Sequence, residues 1–253
     1  MKKILIQSST NVKENPAYLE GIKDHAKKIL SPGFTIEIDG VDTEYNSKAH
    51  FMSYEFLNNR SILKNIIEAE ESDYDAVAFH CFLDPVLDEA RELVDIPVIG
   101  MAETSMLTSL MYGKKFAIVT YNPQLAKKTF GNLIQKYGLC NQAIETQFFE
   151  VGIEDLENAF YDPKPILDKF IKACEKAVAN GAEVILPGCG LLNIICIQNN
   201  ITQETVGATI MDVTGMVLKM AESQITLKEV SGTSLSRTGY YEKPNNLPKL
   251  KDL

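Results

Sequence analysis

The sequence predicts an α/β protein built from two pseudo-symmetric halves, each with a parallel sheet. Three observations predict it. Short apolar runs alternate with longer amphipathic segments, the pattern of βαβ units and parallel sheets. The same order of segments recurs in the second half. The recurrence also aligns residue by residue: Lys2-Lys3-Ile4-Leu5-Ile6 echoes Lys114-Lys115-Phe116-Ala117-Ile118 at an offset of 112, and Asp75-Ala76-Val77-Ala78-Phe79-His80-Cys81 echoes Glu183-Val184-Ile185-Leu186-Pro187-Gly188-Cys189 at an offset of 108. Buried strands look alike, so each echo is weak alone. Together they keep order and nearly one offset, and each third strand ends in a cysteine.

The elements follow in order. Lys3 to Gln7 reads as a buried strand. Asn15 to Leu30 reads as a helix, with Pro16 in its first turn and Ser31-Pro32-Gly33 beyond its end. Phe34 to Ile38 alternates with period two, as a strand does. Arg60 to Ala69 carries Ile62, Leu63, Ile66 and Ile67 on one helical face. Asp75 to Phe79 is a buried strand, Leu87 to Val94 a short helix and Pro97 to Gly100 a short strand. The second half opens with a strand at Lys115 to Thr120. A helix from Pro123 to Tyr137 stops at Gly138, and Ala143 to Glu150 reads as a strand. Pro165 to Ala179 is a helix turning Ile166, Phe170, Ile171, Cys174 and Val178 inward, closed by Asn180-Gly181. Glu183 to Leu186 is a strand. The predicted domains are 1–100 plus 209–253, and 101–208. A helix from Thr214 to Ser223 packs back on the first half, before a loop-rich tail from Glu229.

Composition narrows the function. Of 253 residues, 45% are hydrophobic and 23% charged, an ordinary globular balance. The formal net charge is −9 and no block of five basic residues occurs, which argues against a nucleic-acid or anionic-membrane partner. The basic N-terminus is followed by an apolar run of only Ile4-Leu5-Ile6, far short of the roughly 7–15 residues of a signal peptide core. No stretch approaches the roughly 18–20 apolar residues of a spanning helix. Five cysteines (Cys81, Cys140, Cys174, Cys189, Cys196) at irregular spacing, without a C-x-x-C pair, and three histidines give little support to a disulfide framework or a metal site. The expectation is a soluble, reduced, cytoplasmic protein without a metal site.

Ligands of parallel α/β sheets bind beyond the carboxyl ends of the strands, where Cys81 and Cys189 fall. Each precedes residues able to begin a loop or a helix, whose N-terminal dipole favours a thiolate and lowers its pKa toward neutrality. Between facing halves, a small molecule meets one thiol on each side. Inverting a carbon acid needs a base on one face and an acid on the other, and two cysteines can exchange those roles. Cysteine is otherwise among the most buried residue types. One cysteine at a strand end is therefore ordinary core; two at equivalent positions are not. Cys140 and Cys196 lack an equivalent, and Cys174 lies on an apolar helix face, so these three keep structural roles.

Around these cysteines the chain resembles the aspartate/glutamate/hydantoin racemase superfamily, and within it the hydantoin and allantoin racemase branch. The resemblance is carried by His80-Cys81-Phe82-Leu83-Asp84-Pro85, Ala90-Arg91-Glu92, Pro97-Val98-Ile99-Gly100 leading to Glu103, Phe116 to Thr120, Gly181 to Gly190, and Ser236-Arg237-Thr238-Gly239-Tyr240. It implies two α/β domains with the active site in the cleft between them. It also implies cofactor-independent proton transfer by Cys81 and Cys189, and suggests a homo-oligomer. Substrate contacts would come from Ser8, Ser9, Thr10, Thr120, Tyr121 and the backbone around Phe82 and Gly190, with His80 and Glu103 behind them. Several positions depart from the family pattern. Gln7-Ser8-Ser9-Thr10-Asn11 replaces an Asn-Pro-Asn-Ser/Thr loop, His80 replaces a small residue, Leu83 a glycine, and Gly190-Leu191-Leu192 an Ala-Gly-Met-like stretch. The Cys-Asn-Thr of the amino-acid racemases is absent after Cys81, which weighs against free aspartate or glutamate.

Other residues have plainer readings. His80 either tunes Cys81 or, because neighbours on a strand face opposite ways, points into the protein and bonds a backbone group; alternation favours the latter. His25 and His50 read as surface or loop residues. Asp84 reads as the cap of the helix that follows Pro85, and Met101, Met106 and Met111 as packing. Two other functions compete with racemisation. One keeps the fold but isomerises maleate or decarboxylates, with a cysteine as nucleophile or acid. The other is a non-catalytic two-lobed binding protein.

Overall fold

The computed structural model describes residues 1–41, 51–121 and 123–244. In the first half, β1 (Lys2–Gln7), α1 (Pro16–Ile29), β2 (Phe34–Asp39), α2 (Met52–Glu71), β3 (Ala76–Phe79), α3 (Leu87–Leu93), β4 (Val98–Ile99) and α4 (Met101–Ser109) follow one another. The second half continues with β5 (Phe116–Tyr121), α5 (Pro123–Lys136), β6 (Gln147–Phe149), α6 (Ile153–Asn158), α7 (Lys164–Ala179), β7 (Val184–Pro187), α8 (Gly190–Gln198), α9 (Gln203–Val206), β8 (Thr209–Ile210) and α10 (Val213–Ser231).

Two parallel four-stranded sheets result, in the orders β2-β1-β3-β4 and β6-β5-β7-β8. Their registers reproduce the internal echo. Ile4 pairs with Ala76, and Phe116 pairs with Val184; these are the residues that the offsets of 112 and 108 equate. Side-chain alternation then sorts the strands into layers. Ile4, Ile6, Ala76 and Ala78 share one buried cluster with Phe116, Ile118, Val184 and Leu186, so the inner faces of both sheets meet in a common core. Leu5, Val77 and Phe79 face outward onto Ile62 and Ile66 of α2. Ala117, Val119 and Ile185 face outward onto Phe170 and Cys174 of α7. Both faces of each sheet are covered, which is why the strands read as unbroken apolar runs.

Helix α8 is buried all round from Gly190 to Cys196, as expected of a helix lying between packed layers. It rests on α1, α10 and β7. At Gly21 of α1 a Cβ would stand 2.6 Å from Ile194 Cγ2, so the two helices touch through a missing side chain. Helix α10 lies against α1, α4 and β3 and is tied to α8 where Asn193 Oδ1 accepts from the Thr214 N–H at 3.0 Å. Arg237, in the tail, donates to the last carbonyls of α3, at Arg91 (2.8 Å) and Val94, and pairs with Asp95 at 2.6 Å. Among the described residues no helix is long and apolar enough to cross a membrane.

Several expectations need correction. Helix α2 begins at Met52, two turns before Arg60. Phe56 and Leu57 are exposed there and hide the amphipathic pattern. Helices α4 and α6 had no expectation, and α10 runs on to Ser231. The strand expected over Ala143 to Glu150 is confined to Gln147–Phe149, with one isolated bridge from Ala143 to Phe116. Met101 and Met106 are core, but Met111 is 82% exposed and packs nothing. His25 is no surface residue: it is buried on α1, with Nε2 2.7 Å from Asp212 Oδ2. The same Asp212 caps α10 by accepting from the Gly215 N–H at 2.8 Å. His50 lies outside the described residues.

Candidate active site

One cleft opens where the carboxyl ends of the two sheets come together, enclosing about 910 Å³ of empty space, mouth included. That suits a small molecule. Ser8, Ser9 and Thr10 reach it from beyond β1, and Cys81 and Phe82 from beyond β3. Thr120 and Tyr121 reach it from β5, and Cys189 and Gly190 from beyond β7. Phe82, Leu83, Pro85, Phe130, Ile153 and Leu191 give it apolar walls, and Glu55, Asn58 and Asn59 of α2 add a polar one. Glu103 does not line the cleft. It sits in the first turn of α4, paired with Arg91 through both carboxylate oxygens.

The surroundings of the two thiols follow the internal repeat. The Ser9 hydroxyl lies near the Cys81 sulfur and the Tyr121 hydroxyl near the Cys189 sulfur, each favouring the thiolate. Residues 9 and 121 are equivalent under the offset of 112. Each sulfur also has near it a backbone N–H two residues downstream, at Leu83 or at Leu191, that favours its charged form. The symmetry ends there. Cys189 occupies the N-cap position of α8 without a side-chain capping bond, and a further N–H, at Leu192, lies near enough to favour its thiolate. Cys81 opens a turn, and the next helix, α3, starts only at Leu87.

These donors favour thiolates but do not prevail in the ligand-free cleft. Burial pushes the Cys81 thiol up to about 12. Burial also pushes Cys189 up, against the opposing N–H groups and Tyr121. The expectation that helix N-termini bring both thiols toward neutrality is thus corrected: desolvation of the charged form outweighs the dipole. The order of the two is set by geometry. Cys189 has one more N–H nearby and a helix terminus, whereas Cys81 has the Glu55 carboxylate nearby, which disfavours a second negative charge.

His80 continues the inner-facing side of β3 and turns away from Cys81. Its partners are hydroxyls, not the backbone group expected: Tyr18 Oη lies 2.5 Å from Nδ1 and Thr214 Oγ1 lies 2.9 Å from Nε2. Burial pushes the imidazole down to about 3, so the ring is neutral at physiological pH. Tyr18 is itself fully buried, near Ser8 and close to both sulfurs. A chain of neutral hydrogen bonds thus runs from α10 through His80 to the floor beside the thiols. In the second half, residue 188 is the equivalent of His80 and is glycine; a Cβ there would stand 2.7 Å from Ile118 Cγ2.

Asp84 caps a helix, but not the one after Pro85. Its carboxylate accepts from the N–H groups of Ala102 (2.9 Å) and Glu103 (2.7 Å), closing the N-terminus of α4. The left-handed conformation at Asp84, φ 47°, swings the side chain across to it. Burial pushes this carboxyl up to about 6, above the ordinary 3.8. Between those two values the folded chain holds a proton that the unfolded chain has released, so this group's contribution to stability falls as pH rises through that window. The cap still outweighs this cost. Asp84→Ala is expected to destabilise the fold by about 1–2 kcal/mol in urea unfolding at neutral pH.

Sequence reasoning missed Glu55, Asn58 and Asn59, which line the cleft from α2, because it began that helix at Arg60. It also missed Tyr18, which reads as one more apolar position on α1. The roles of Ser9 and Tyr121 toward the thiols were within reach by applying the offset of 112 beyond the strands themselves.

Comparison with known proteins agrees with this architecture. Residues 15–221 match the family model described as Asp/Glu/Hydantoin racemase. A hydantoin racemase from Paenarthrobacter aurescens is 28% identical over 238 residues, covering 92% of this chain and 95% of its own. One from Pseudomonas sp. (strain NS671) is 28% identical over 191 residues, covering 75% and 72%. Among solved structures, an allantoin racemase from Klebsiella pneumoniae superposes with a TM-score of 0.84 at 24% identity, over 98% of this chain and 95% of that one, which is a likeness of fold. The chain belongs to the Asp/Glu/hydantoin racemase family and is an enzyme of the racemase/isomerase class.

Proposed function

We propose that this enzyme inverts the acidic carbon of a hydantoin- or allantoin-like ring by two-base proton transfer between Cys189 and Cys81, without a cofactor. The observation that carries this reading is the equivalent placement of the two thiols on one cleft, each with a hydroxyl and a backbone N–H nearby at matching positions. The ring carbon bearing the substituent lies next to a carbonyl, so losing its proton gives an enolate. In one direction the Cys189 thiolate takes that proton and becomes a thiol. The negative charge moves onto the carbonyl oxygen, where backbone N–H groups around Phe82 and Gly190 supply donors. The Cys81 thiol then delivers its proton to the opposite face and becomes a thiolate. No atom is gained or lost, and the reverse direction exchanges the two roles. Ser9 and Tyr121 stabilise whichever sulfur carries the charge, leaving the buried Ser8 and Thr120, with Thr10, to shape the pocket. The 28% identical hydantoin racemases support the choice of ring.

A panel of hydantoins with different substituents, allantoin included, followed by polarimetry tests the reading. Loss of optical rotation from at least one member is expected; none from any member overturns it. The buried thiols also set the pH dependence. Both are raised, so the reactive thiolate grows with pH. The value of kcat/KM is expected to keep rising above pH 9 rather than level off near neutrality.

A further inference from the structure

The proposed proton transfer leaves one wall of the cleft without a task. Glu55, Asn58, Asn59 and Ile62 of α2 all line it, at spacings of three, four and seven residues, which is one face of a helix. Two acceptors on that face are unanswered among the described residues. Burial pushes the Glu55 carboxyl up, and no cation or hydrogen bond offsets it. The Asn59 Oδ1 atom is buried and accepts no hydrogen bond. Leaving a buried acceptor unpaired costs the full desolvation of that group, so a cleft that sets the buried Asn59 oxygen beside the half-buried Glu55 carboxylate is suited to something that donates.

The ring has to lie between the two thiols, which leaves α2, on the Cys81 side, to the substituent. An alkyl substituent there would cover both acceptors and satisfy neither. A carboxylate would meet the charge of Glu55. Resting on the reading of the cleft given above, we infer that the Glu55–Asn59 face of α2 is a subsite for a substrate substituent that donates N–H bonds, an ammonium or a ureido group carried on the carbon to be inverted. The apolar floor at Phe82, Leu83 and Phe130 accommodates the stem or the ring edge. Such a substituent also screens Cys81 from the carboxylate.

The test compares hydantoins bearing aminobutyl, ureido and pentyl substituents, by turnover and by calorimetric binding, in the wild-type enzyme and in Glu55→Gln and Glu55→Lys. Wild type is expected to favour the aminobutyl and ureido compounds over pentyl by about 10–100-fold. Glu55→Gln should bring the aminobutyl advantage within about threefold, and Glu55→Lys should reverse it in favour of a carboxyethyl hydantoin. Glu55→Gln should also let iodoacetamide alkylate Cys81, read by peptide mass spectrometry, at lower pH than in wild type. A merely structural glutamate would not produce that shift. Equal binding of all three compounds by wild type, or a preference that survives both substitutions, overturns the subsite. If the donor preference appears in binding while no compound is racemised, the subsite stands and the reaction assigned to the cleft falls.

Discussion

Replacing either Cys81 or Cys189 by serine is expected to lower racemisation by at least about 10³-fold, since a serine hydroxyl is too weak an acid to serve as the base near neutral pH. The two variants should not fail alike. With Cys189 intact, Cys81→Ser keeps the sulfur at the helix N-terminus, with Tyr121 and two N–H groups nearby. It should still exchange the substrate proton for deuterium in heavy water, from one enantiomer only. In Cys189→Ser the remaining sulfur is the one pushed up to about 12 and facing Glu55, so exchange from the other enantiomer should be far slower. Proton NMR of each enantiomer with each variant reads this directly. Full racemisation by Cys81→Ser would refute two-base transfer.

Gly190→Ala carries the second large effect, through packing. A Cβ at position 190 would stand 2.4 Å from His80 Nδ1 and 2.9 Å from the His80 carbonyl oxygen. The carbonyl is backbone, and the ring is pinned between Tyr18 and Thr214, so neither side can yield cheaply. A loss of about 2–3 kcal/mol is expected, with Tm falling by roughly 5–10 °C. Because residue 190 follows one thiol and residue 80 precedes the other, whatever moves to admit the methyl also changes the gap between the sulfurs. Activity in the folded fraction should therefore fall further than stability alone explains. Calorimetry and turnover on the same preparation separate the two effects.

Much of this was legible from residue order. Parallel sheets read clearly because strands covered on both faces are continuous apolar runs, and Ile4 and Phe116 could be equated before any register was known. The paired cysteines followed from the same repeat. The wall at Glu55 did not, since the turns that carry it expose Phe56 and Leu57 and break the helical pattern. Asp84 shows a different limit. Its capping role follows from its chemistry, but its choice of α4 over α3 depends on a left-handed backbone angle and on a strand and helix contacted only in the folded chain. His80 was placed facing inward by alternation alone. Its hydroxyl partners come from α1 and α10, 62 and 134 residues away, and no local pattern announces contacts over such distances.

The unequal surroundings of the two sulfurs have a thermodynamic consequence. Enantiomers have the same free energy in water, so the equilibrium constant between them is unity. The two values of kcat/KM must then be equal, however different the thiol that begins each direction. A helix terminus behind Cys189 and a turn behind Cys81 cannot bias the final mixture. They can only divide the same ratio differently, so that one hand of the substrate binds more tightly and turns over more slowly, and its mirror image does the reverse.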